Sequence, residues 1–297
     1  MIRRLCLAVL FVLAAMFAAA SASANDKLKA VASTSIIGDL VKNVGGDRVD
    51  VTMLVGPNSD AHVFSPTPSD AKTLGAAKAV FINGMGLEGW ITRLIAAAGT
   101  KAMPVVVSAG ITPRQAEEGG HHTVDPHAWQ SVANVKIYVT NIRNGLKKAD
   151  PAGGAAYDAN AKAYLGKLDE LEREVRETIG KIPADRRKII TTHDAFGYFG
   201  QAYGVQFIAP LGVSADSEPS ARDVARIIAQ VKRQKIPAVF MENISDPRMM
   251  QQIARETGAK IGGTLYSDAL SEAGRPAATY LDMMRSNVRE LAKALAP

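Results

Sequence analysis

The chain has 297 residues, 47% of them hydrophobic and 22% charged, a globular composition that excludes a disordered or fibrous protein and leaves room for two domains of ordinary size. The formal net charge is +6, but basic residues alternate with acidic ones, as between Lys167 and Arg176, which is typical of solvated helices and argues against a nucleic-acid partner. Cys6 is the only cysteine, so the rest of the chain offers no disulfide and no thiolate ligand.

Residues 1–24 have the organisation of a cleavable signal peptide. Arg3 and Arg4 precede an apolar run over residues 5–20, and the small residues at 22–24 form a cleavage site before Asn25. The apolar run is short for a membrane span, and Cys6 lies too early in it to accept a lipid. We therefore expect an exported, periplasmic protein.

Strands and helices alternate along the chain. In the first half the predicted strands are 28–33, 49–55, 79–82 and 103–108, and the predicted helices are 36–44, 68–77 and 87–98. The second half repeats the pattern, with strands at 188–191, 205–209, 238–241 and 260–264, and helices at 196–202, 220–234, 247–257 and 278–295. Such alternation is typical of parallel βα units.

The longest predicted helix, 155–179, lies between the two halves. Tyr164, Leu168 and Leu171 recur in it at helical spacing, and at ~1.5 Å per residue it would span roughly the diameter of a domain. We therefore predict an α/β protein with two lobes of parallel βα units, 25–150 and 182–297, joined by one long rigid helix within 151–181. A rigid link of this kind predicts small adjustments on ligand binding instead of wide hinge motion.

One histidine or aspartate follows a predicted strand at each of four places, two in each half. His62 follows strand 49–55, His127 follows strand 103–108 through a polar loop, His193 follows strand 188–191, and Asp268 follows strand 260–264. Ligands of parallel sheets bind at the carboxyl ends of the strands, so facing lobes would bring these residues together in a cleft. Three imidazoles and one carboxylate form a closed set of ligands suited to tetrahedral Zn²⁺.

Each of these residues also has an ordinary interpretation. A single histidine at a strand end is commonly a hydrogen-bonding loop residue, and Asp268 can cap the segment that follows it. Glu242, after strand 238–241, is the strongest alternative carboxylate ligand, whereas Asp216 and Glu218 precede a helix and suit its N-terminus. The metal site therefore depends on the joint placement of four residues.

The four candidate ligands lie in segments that resemble a known family, the periplasmic metal-binding receptors of zinc and manganese ABC importers. The segments are GPNSDAHVFSPTPSD (56–70), DPHAW (125–129), THDAFGYF (192–199) and YSDAL (266–270), in the family's order and over almost the whole mature chain. The resemblance implies two α/β lobes bridged by a long helix, and metal bound by His62, His127, His193 and Asp268. It also implies a membrane permease as partner, with a periplasmic metal donor as a further candidate, and a protein that acts as a monomer.

Two departures from the family pattern bear on metal handling. The usual Asp-Pro-His around the first ligand reads Asp60-Ala61-His62 here, and a long histidine-rich insertion is replaced by a short loop ending in His121 and His122. This loop either delivers or briefly holds metal, or is simply solvated. Manganese-type members tend to carry a carboxylate at the position of His193, so the chain most resembles the zinc type, because imidazole shifts preference from Mn²⁺ towards Zn²⁺.

Three other functions are weighed against a zinc receptor. A manganese or iron receptor would use the same scaffold. A zinc hydrolase would need an open coordination position and a base such as Glu242 or Asp194, but the closed ligand set favours carriage over catalysis, and so no enzyme. Residues 84–89 match G-x-G-x-x-G, but no acidic residue lies between Gly89 and Glu117 to bind a ribose, so we interpret the glycines as a tight turn.

Overall fold

The computed structural model describes residues 27–118, 120–214 and 220–296, so the predicted signal peptide and the acidic residues Asp216 and Glu218 lie outside the described residues. A four-stranded parallel sheet forms the first lobe in the order β2-β1-β3-β4. Its strands are β1 (Leu28–Ala32), β2 (Val49–Met53), β3 (Ala79–Ile82) and β4 (Pro104–Val106). Each strand lies within its predicted range.

Four helices cover this first sheet: α1 (Ser35–Gly45), α2 (Pro68–Ala76), α3 (Ile91–Ala98) and α4 (Val132–Ala149). The α2 helix begins with a capping box in which Thr67 and Asp70 satisfy each other's backbone N–H groups. The α3 helix begins at Ile91 and not at residue 87 as predicted. The reason is that the Glu88 carboxylate accepts the backbone N–H groups of Asn83 and Gly84 and so holds a turn.

An α-helix and a β-hairpin are absent from the sequence-based prediction. One is α4, which is rich in β-branched residues and whose buried side includes Val135, Tyr138, Val139 and Ile142. The other is an antiparallel hairpin of β5 (Gln115–Glu118) and β6 (His121–Val124), inside the loop that precedes His127.

The long helix α5 (Gly154–Gly180) has 27 residues and is about 40 Å long. Its buried side includes Tyr164, Leu168 and Leu171, as the spacing predicts. It packs against α1 and α4 of the first lobe and against the last helix of the chain, α9 (Tyr280–Leu295).

The second lobe is also built on a four-stranded parallel sheet, in the order β10-β9-β7-β8. Its strands are β7 (Lys188–Ile190), β8 (Gln206–Ile208), β9 (Ala238–Glu242) and β10 (Lys260–Leu265). Its remaining helices are α6 (Gly197–Tyr203), α7 (Ala221–Gln234) and α8 (Arg248–Thr257). The prediction of two parallel α/β lobes and a long helix is confirmed.

The hydrophobic core is continuous between the lobes. One buried cluster extends from the first sheet through α5 to β9, β10 and α9, and a smaller one lies between the second sheet and α7 and α8. This shared core ties the lobes together over much more surface than a flexible linker would. Among the residues described, no helix is long and apolar enough to span a bilayer.

Candidate metal centre

The four residues singled out from the sequence meet in the cleft between the lobes. His62 lies in the loop after β2, His127 follows the β5–β6 hairpin, His193 follows β7 and Asp268 follows β10. One nitrogen or oxygen atom from each residue lies within 4.8 Å of the corresponding atoms of the others. The carboxyl ends of parallel strands thus meet here from two sheets, as such sheets require of their ligand sites.

The donor atoms are spaced like the corners of a coordination polyhedron. Nε2 of His62 lies 3.3 Å from Nε2 of His127 and 3.6 Å from Oδ2 of Asp268. Asp268 Oδ1 lies 3.4 Å from His127 Nε2, and Oδ2 lies 3.2 Å from His193 Nε2. A tetrahedral ion with bonds of about 2.1 Å would separate its ligands by about 3.4 Å. These four spacings therefore match those between the ligands of a tetrahedral ion.

Asp268 is buried with its two oxygens facing imidazole nitrogens. Its residue is 2% exposed, and within the described chain neither carboxylate oxygen accepts a hydrogen bond of good geometry. A buried carboxylate in this condition costs free energy unless a cation compensates it. A divalent cation at the centre of the four donors would provide that compensation.

Asp125 positions the ring of His127 through the nitrogen that faces away from the cluster. Its Oδ1 accepts the backbone N–H of His127 at 2.9 Å and lies 2.8 Å from the ring Nδ1. Its other oxygen accepts a hydrogen bond from Arg114 at 2.8 Å. Burial favours a raised pKa for Asp125, but its hydrogen bonds with His127 and the charges of His127 and Arg114 hold the pKa below its usual value. The carboxylate therefore selects the His127 tautomer whose Nε2 lone pair faces the cluster.

Glu242 does the same for His193 and is not one of the clustered donors. Its Oε2 lies 2.6 Å from Nδ1 of His193, on the side of the ring away from Asp268. Its Oε1 accepts the backbone N–H groups of Thr192 and His193 at 2.7 and 3.1 Å. Glu242, the alternative carboxylate indicated by the sequence, therefore lies outside the group of donors. Because β9 lies next to β7, Glu242 at the end of β9 lies at Nδ1 of the imidazole and not at Nε2, which faces the other donors.

The carboxylates also set the charge of the metal-free centre. Burial alone would lower the pKa of His127, but the carboxylates of Asp268 and Asp125 outweigh it and raise the pKa to about 9. For His193, burial is likewise outweighed by Glu242 and Asp268, which raise its pKa well above the usual value. Burial would raise the pKa of Asp268, yet His127 and His193 hold it well below the usual value. At neutral pH an incoming cation therefore displaces protons from the imidazoles.

His62 lies at the mouth of the site. Its side chain is 8% exposed, whereas those of His127 and His193 are fully buried. Hydrogen bonds fix the loop. The His62 N–H donates to Asp60 Oδ1 at 2.7 Å, the Trp90 indole to the Ala61 carbonyl at 2.8 Å, and the Asn58 N–H to the Leu270 carbonyl at 2.9 Å.

Hydrogen bonds between the two lobes also fix their relative position at the site. The residues that form them were not predicted from the sequence. Trp129 Nε1 and Gln130 Nε2 both donate to the Ser267 carbonyl at 2.8 Å, directly before Asp268. The Tyr280 hydroxyl donates in return to the Trp129 carbonyl at 2.8 Å. The DPHAW segment indicated this region in the sequence, but only the fold shows that its tryptophan crosses to the opposite lobe. By contrast, His121 and His122 are exposed on β6 and lie outside the cluster.

Residues 30–294 match the family described as ZnuA, zinc-uptake complex component A, periplasmic. The chain belongs to this family. It is 37% identical over 265 residues to the manganese-binding lipoprotein MntA of Halalkalibacterium halodurans, covering 89% of this chain and 87% of that protein. It is 35% identical over 269 residues to the iron-binding protein YfeA of Yersinia pestis, covering 90% and 86%.

Solved structures agree with this assignment. The periplasmic zinc binding protein TroA from Treponema pallidum superposes with a TM-score of 0.86 at 31% identity, covering 91% of this chain and 100% of that one. The Mn-bound periplasmic metal binding protein from Candidatus Liberibacter asiaticus gives a TM-score of 0.82 at 30% identity, with the same coverage. The chain is thus the metal-binding component of an ABC importer that works with a membrane permease and ATPase, and it is not an enzyme. These relatives are named for manganese, iron and zinc, so the resemblance to the zinc type is not confirmed.

Proposed function

We propose that the chain binds Zn²⁺ in the periplasm through His62, His127, His193 and Asp268 and delivers it to its permease. The observation that carries the proposal is that four pairs of donor atoms from these residues lie 3.2–3.6 Å apart, and that one donor atom from each residue lies within 4.8 Å of the others. The proposal includes cleavage of residues 1–24, lobes at 25–150 and 182–297 on either side of the linking segment 151–181, and a monomeric protein. The proposal also includes a periplasmic protein that donates metal to the receptor.

Zinc is favoured by the chemistry of the donors. Three neutral imidazoles and one carboxylate are typical zinc ligands, and each nitrogen in place of an oxygen makes the site softer and less suited to Mn²⁺. Asp125 and Glu242 further increase the basicity of two imidazoles, which strengthens their bonds to a borderline metal. Four protein ligands also close the shell, as suits an ion that is carried and not used in catalysis.

Manganese or iron is the second candidate, and one feature of the site favours it. Asp268 turns both oxygens towards the histidines, Oδ1 towards His127 and Oδ2 towards His193. A carboxylate that chelates through both oxygens would give five-fold coordination, which suits a larger and harder ion better than a tetrahedral site does. The names of the MntA and YfeA relatives are in keeping with this alternative.

Competition between metals tests the proposal. Purified metal-free protein is titrated with Zn²⁺ and Mn²⁺ against a chromogenic chelator, and metal content is measured after expression in a medium that contains both metals. We expect one zinc ion per chain and a Zn²⁺ affinity well above that for Mn²⁺. Manganese or iron in the purified protein, combined with weaker zinc binding in the presence of the competing ion, would contradict zinc as the cargo. Undiminished affinity in both His127→Ala and His193→Ala proteins would contradict the site itself.

A further inference from the structure

The edge of the second lobe opposite the metal centre is strongly basic. Strands begin and helices end at this edge, which comprises residues 177–188, 200–206, 232–237, 255–260 and 292–296. These segments contain ten basic side chains and only three acidic ones, Glu177, Asp185 and Glu256. The basic residues, here named the basic edge, are Lys181, Arg186, Arg187, Lys188, Lys232, Arg233, Lys235, Arg255, Lys260 and Lys293.

Contacts between the segments show that these charges share one surface. Lys188 Nζ donates to the side chain of Gln234 at 3.1 Å, and Lys260 Nζ lies 3.5 Å from the Lys293 carbonyl. Lys260 is paired with Ala238 across β10 and β9, and Ile189 is paired with Ala238 across β7 and β9. Neighbouring strands lie about 4.8 Å apart, so Lys188 and Lys260, at the starts of β7 and β10, are separated by roughly two strand spacings.

Most of the basic edge is exposed, and its charges are not paired with carboxylates of the described residues. In the part of the chain that the structure describes, none of its ten side chains forms an ion pair with a carboxylate, and seven of the ten residues are exposed. At the corresponding edge of the first lobe, Arg48 pairs with Asp150 at 3.0 Å and Lys147 with Asp158 at 2.6 Å. Exposed lysines without an ion pair among the described residues also lie there, but fewer of them: Lys78, Lys101 and Lys148. Stabilisation of helix C-termini explains one or two cations per helix, but not ten at the edge of the second lobe.

We propose that the basic edge binds the anionic headgroups of a phospholipid bilayer. A bilayer presents phosphates in a broad plane, which can satisfy charges from four separate segments at once, and six of the ten cations are lysines, which bind phosphate as point charges. Ile261, next to Lys260, is 42% exposed and adds apolar contact. The chain also works with a membrane permease, so its partner lies in a bilayer.

Lipid binding at this edge would not involve the metal centre. At about 3.3 Å per residue, the strands between the two edges separate them by about 15 Å. The receptor can therefore be concentrated at the membrane while its cleft stays accessible to metal. Metal affinity and lipid affinity should then vary independently.

Vesicle sedimentation tests the proposal. Full mature protein is mixed with vesicles of phosphatidylcholine alone or of phosphatidylcholine with roughly half phosphatidylglycerol, at about 0.05 M salt and again at about 0.5 M. The protein should sediment with the anionic vesicles at low salt, remain in solution with neutral vesicles, and be released at high salt. No binding to anionic vesicles, or equal binding to both kinds, overturns the proposal without any variant.

A matched pair of variants tests whether the basic edge is the surface that binds the vesicles. Lys232→Gln, Arg233→Gln, Arg255→Gln and Lys260→Gln together should reduce partition onto anionic vesicles at least about tenfold. The control removes the same charge from exposed lysines of the first lobe, by changing Lys72, Lys78, Lys101 and Lys148 to Gln, and should leave partition near the wild-type value. Equal losses in both would show a net-charge effect and overturn the assignment. Retention on immobilised polyglutamate without vesicle binding would assign the edge to an acidic protein and likewise overturn it.

Discussion

The histidines inside the cleft and the histidine at its mouth are held in different ways. His127 and His193 are fully buried, and each has a buried carboxylate within 2.8 Å of its Nδ1. His62 lies on a loop, its side chain is 8% exposed, and the next residue, Val63, is 53% exposed. One side of the centre is therefore enclosed and braced by carboxylates, whereas the other side adjoins solvent. The predictions below test whether that difference controls binding.

The largest effect is expected from removal of a buried imidazole. His193→Ala and His127→Ala should each lower zinc affinity by more than about 100-fold, because loss of a ligand costs more than loss of its supporting partner. Affinity is measured by competition with a chelator. His122→Ala, a change of the same type on the exposed hairpin, is the control. Equal affinities in all three proteins would show that the buried pair does not bind metal.

Acid should weaken binding by about tenfold per pH unit for each proton released. Because the folded pKa of His127 is raised to about 9, its protonated form stabilises the metal-free protein fully below about pH 6.5, and that stabilisation is lost as pH rises through about 9. The Tm of metal-free protein should therefore fall between these values, while zinc-dependent stabilisation grows. Thermal melts with and without zinc measure both trends, and parallel trends would contradict the charge assignment.

Glu242→Gln should lower zinc affinity by about 10- to 100-fold. The new amide can still accept the N–H groups of Thr192 and His193, but its NH₂ then faces His193 Nδ1 and favours the tautomer that points a proton at the metal. Glu256→Gln, at an exposed position of α8, is the matched control. If the two variants bind zinc alike, Glu242 only supports the fold.

A smaller effect is expected at the mouth. His62→Ala should reduce affinity about tenfold less than His193→Ala, because water can enter beside the exposed loop and take the vacated coordination position. The same competition assay applies, together with zinc stoichiometry. A loss as large as that of His193→Ala would remove the distinction between the rigid and the solvated side.

The smallest effect is expected from the hairpin. A double variant, His121→Ala with His122→Ala, should leave zinc affinity and stoichiometry unchanged, because both residues are exposed and lie outside the cluster. A slower rate of zinc loading at unchanged affinity would instead support the delivery role that the sequence allows. Stopped-flow loading with a zinc indicator separates these outcomes.

Much of the fold was predictable because local patterns and global packing agree. Every predicted strand overlaps an observed one, and the helix predicted at 155–179 differs from α5 by one residue at each end. The misses have physical causes. The β-branched α4 owes its helical form to burial against α1 and α5, and the start of α3 is displaced by hydrogen bonds to Glu88, which no periodicity reveals.

The sequence alone determined the type of chemistry: an α/β scaffold with histidines and one aspartate at the carboxyl ends of its strands. The order of strands within each sheet decides what lies behind those residues, and order is a tertiary property. Because β9 lies beside β7, Glu242 supports His193 instead of joining it. For the same reason, cations that look scattered along the chain gather on one edge of the second lobe. Parallel sheets bring distant residues to a common edge, and a linear pattern does not show which edge or which neighbour.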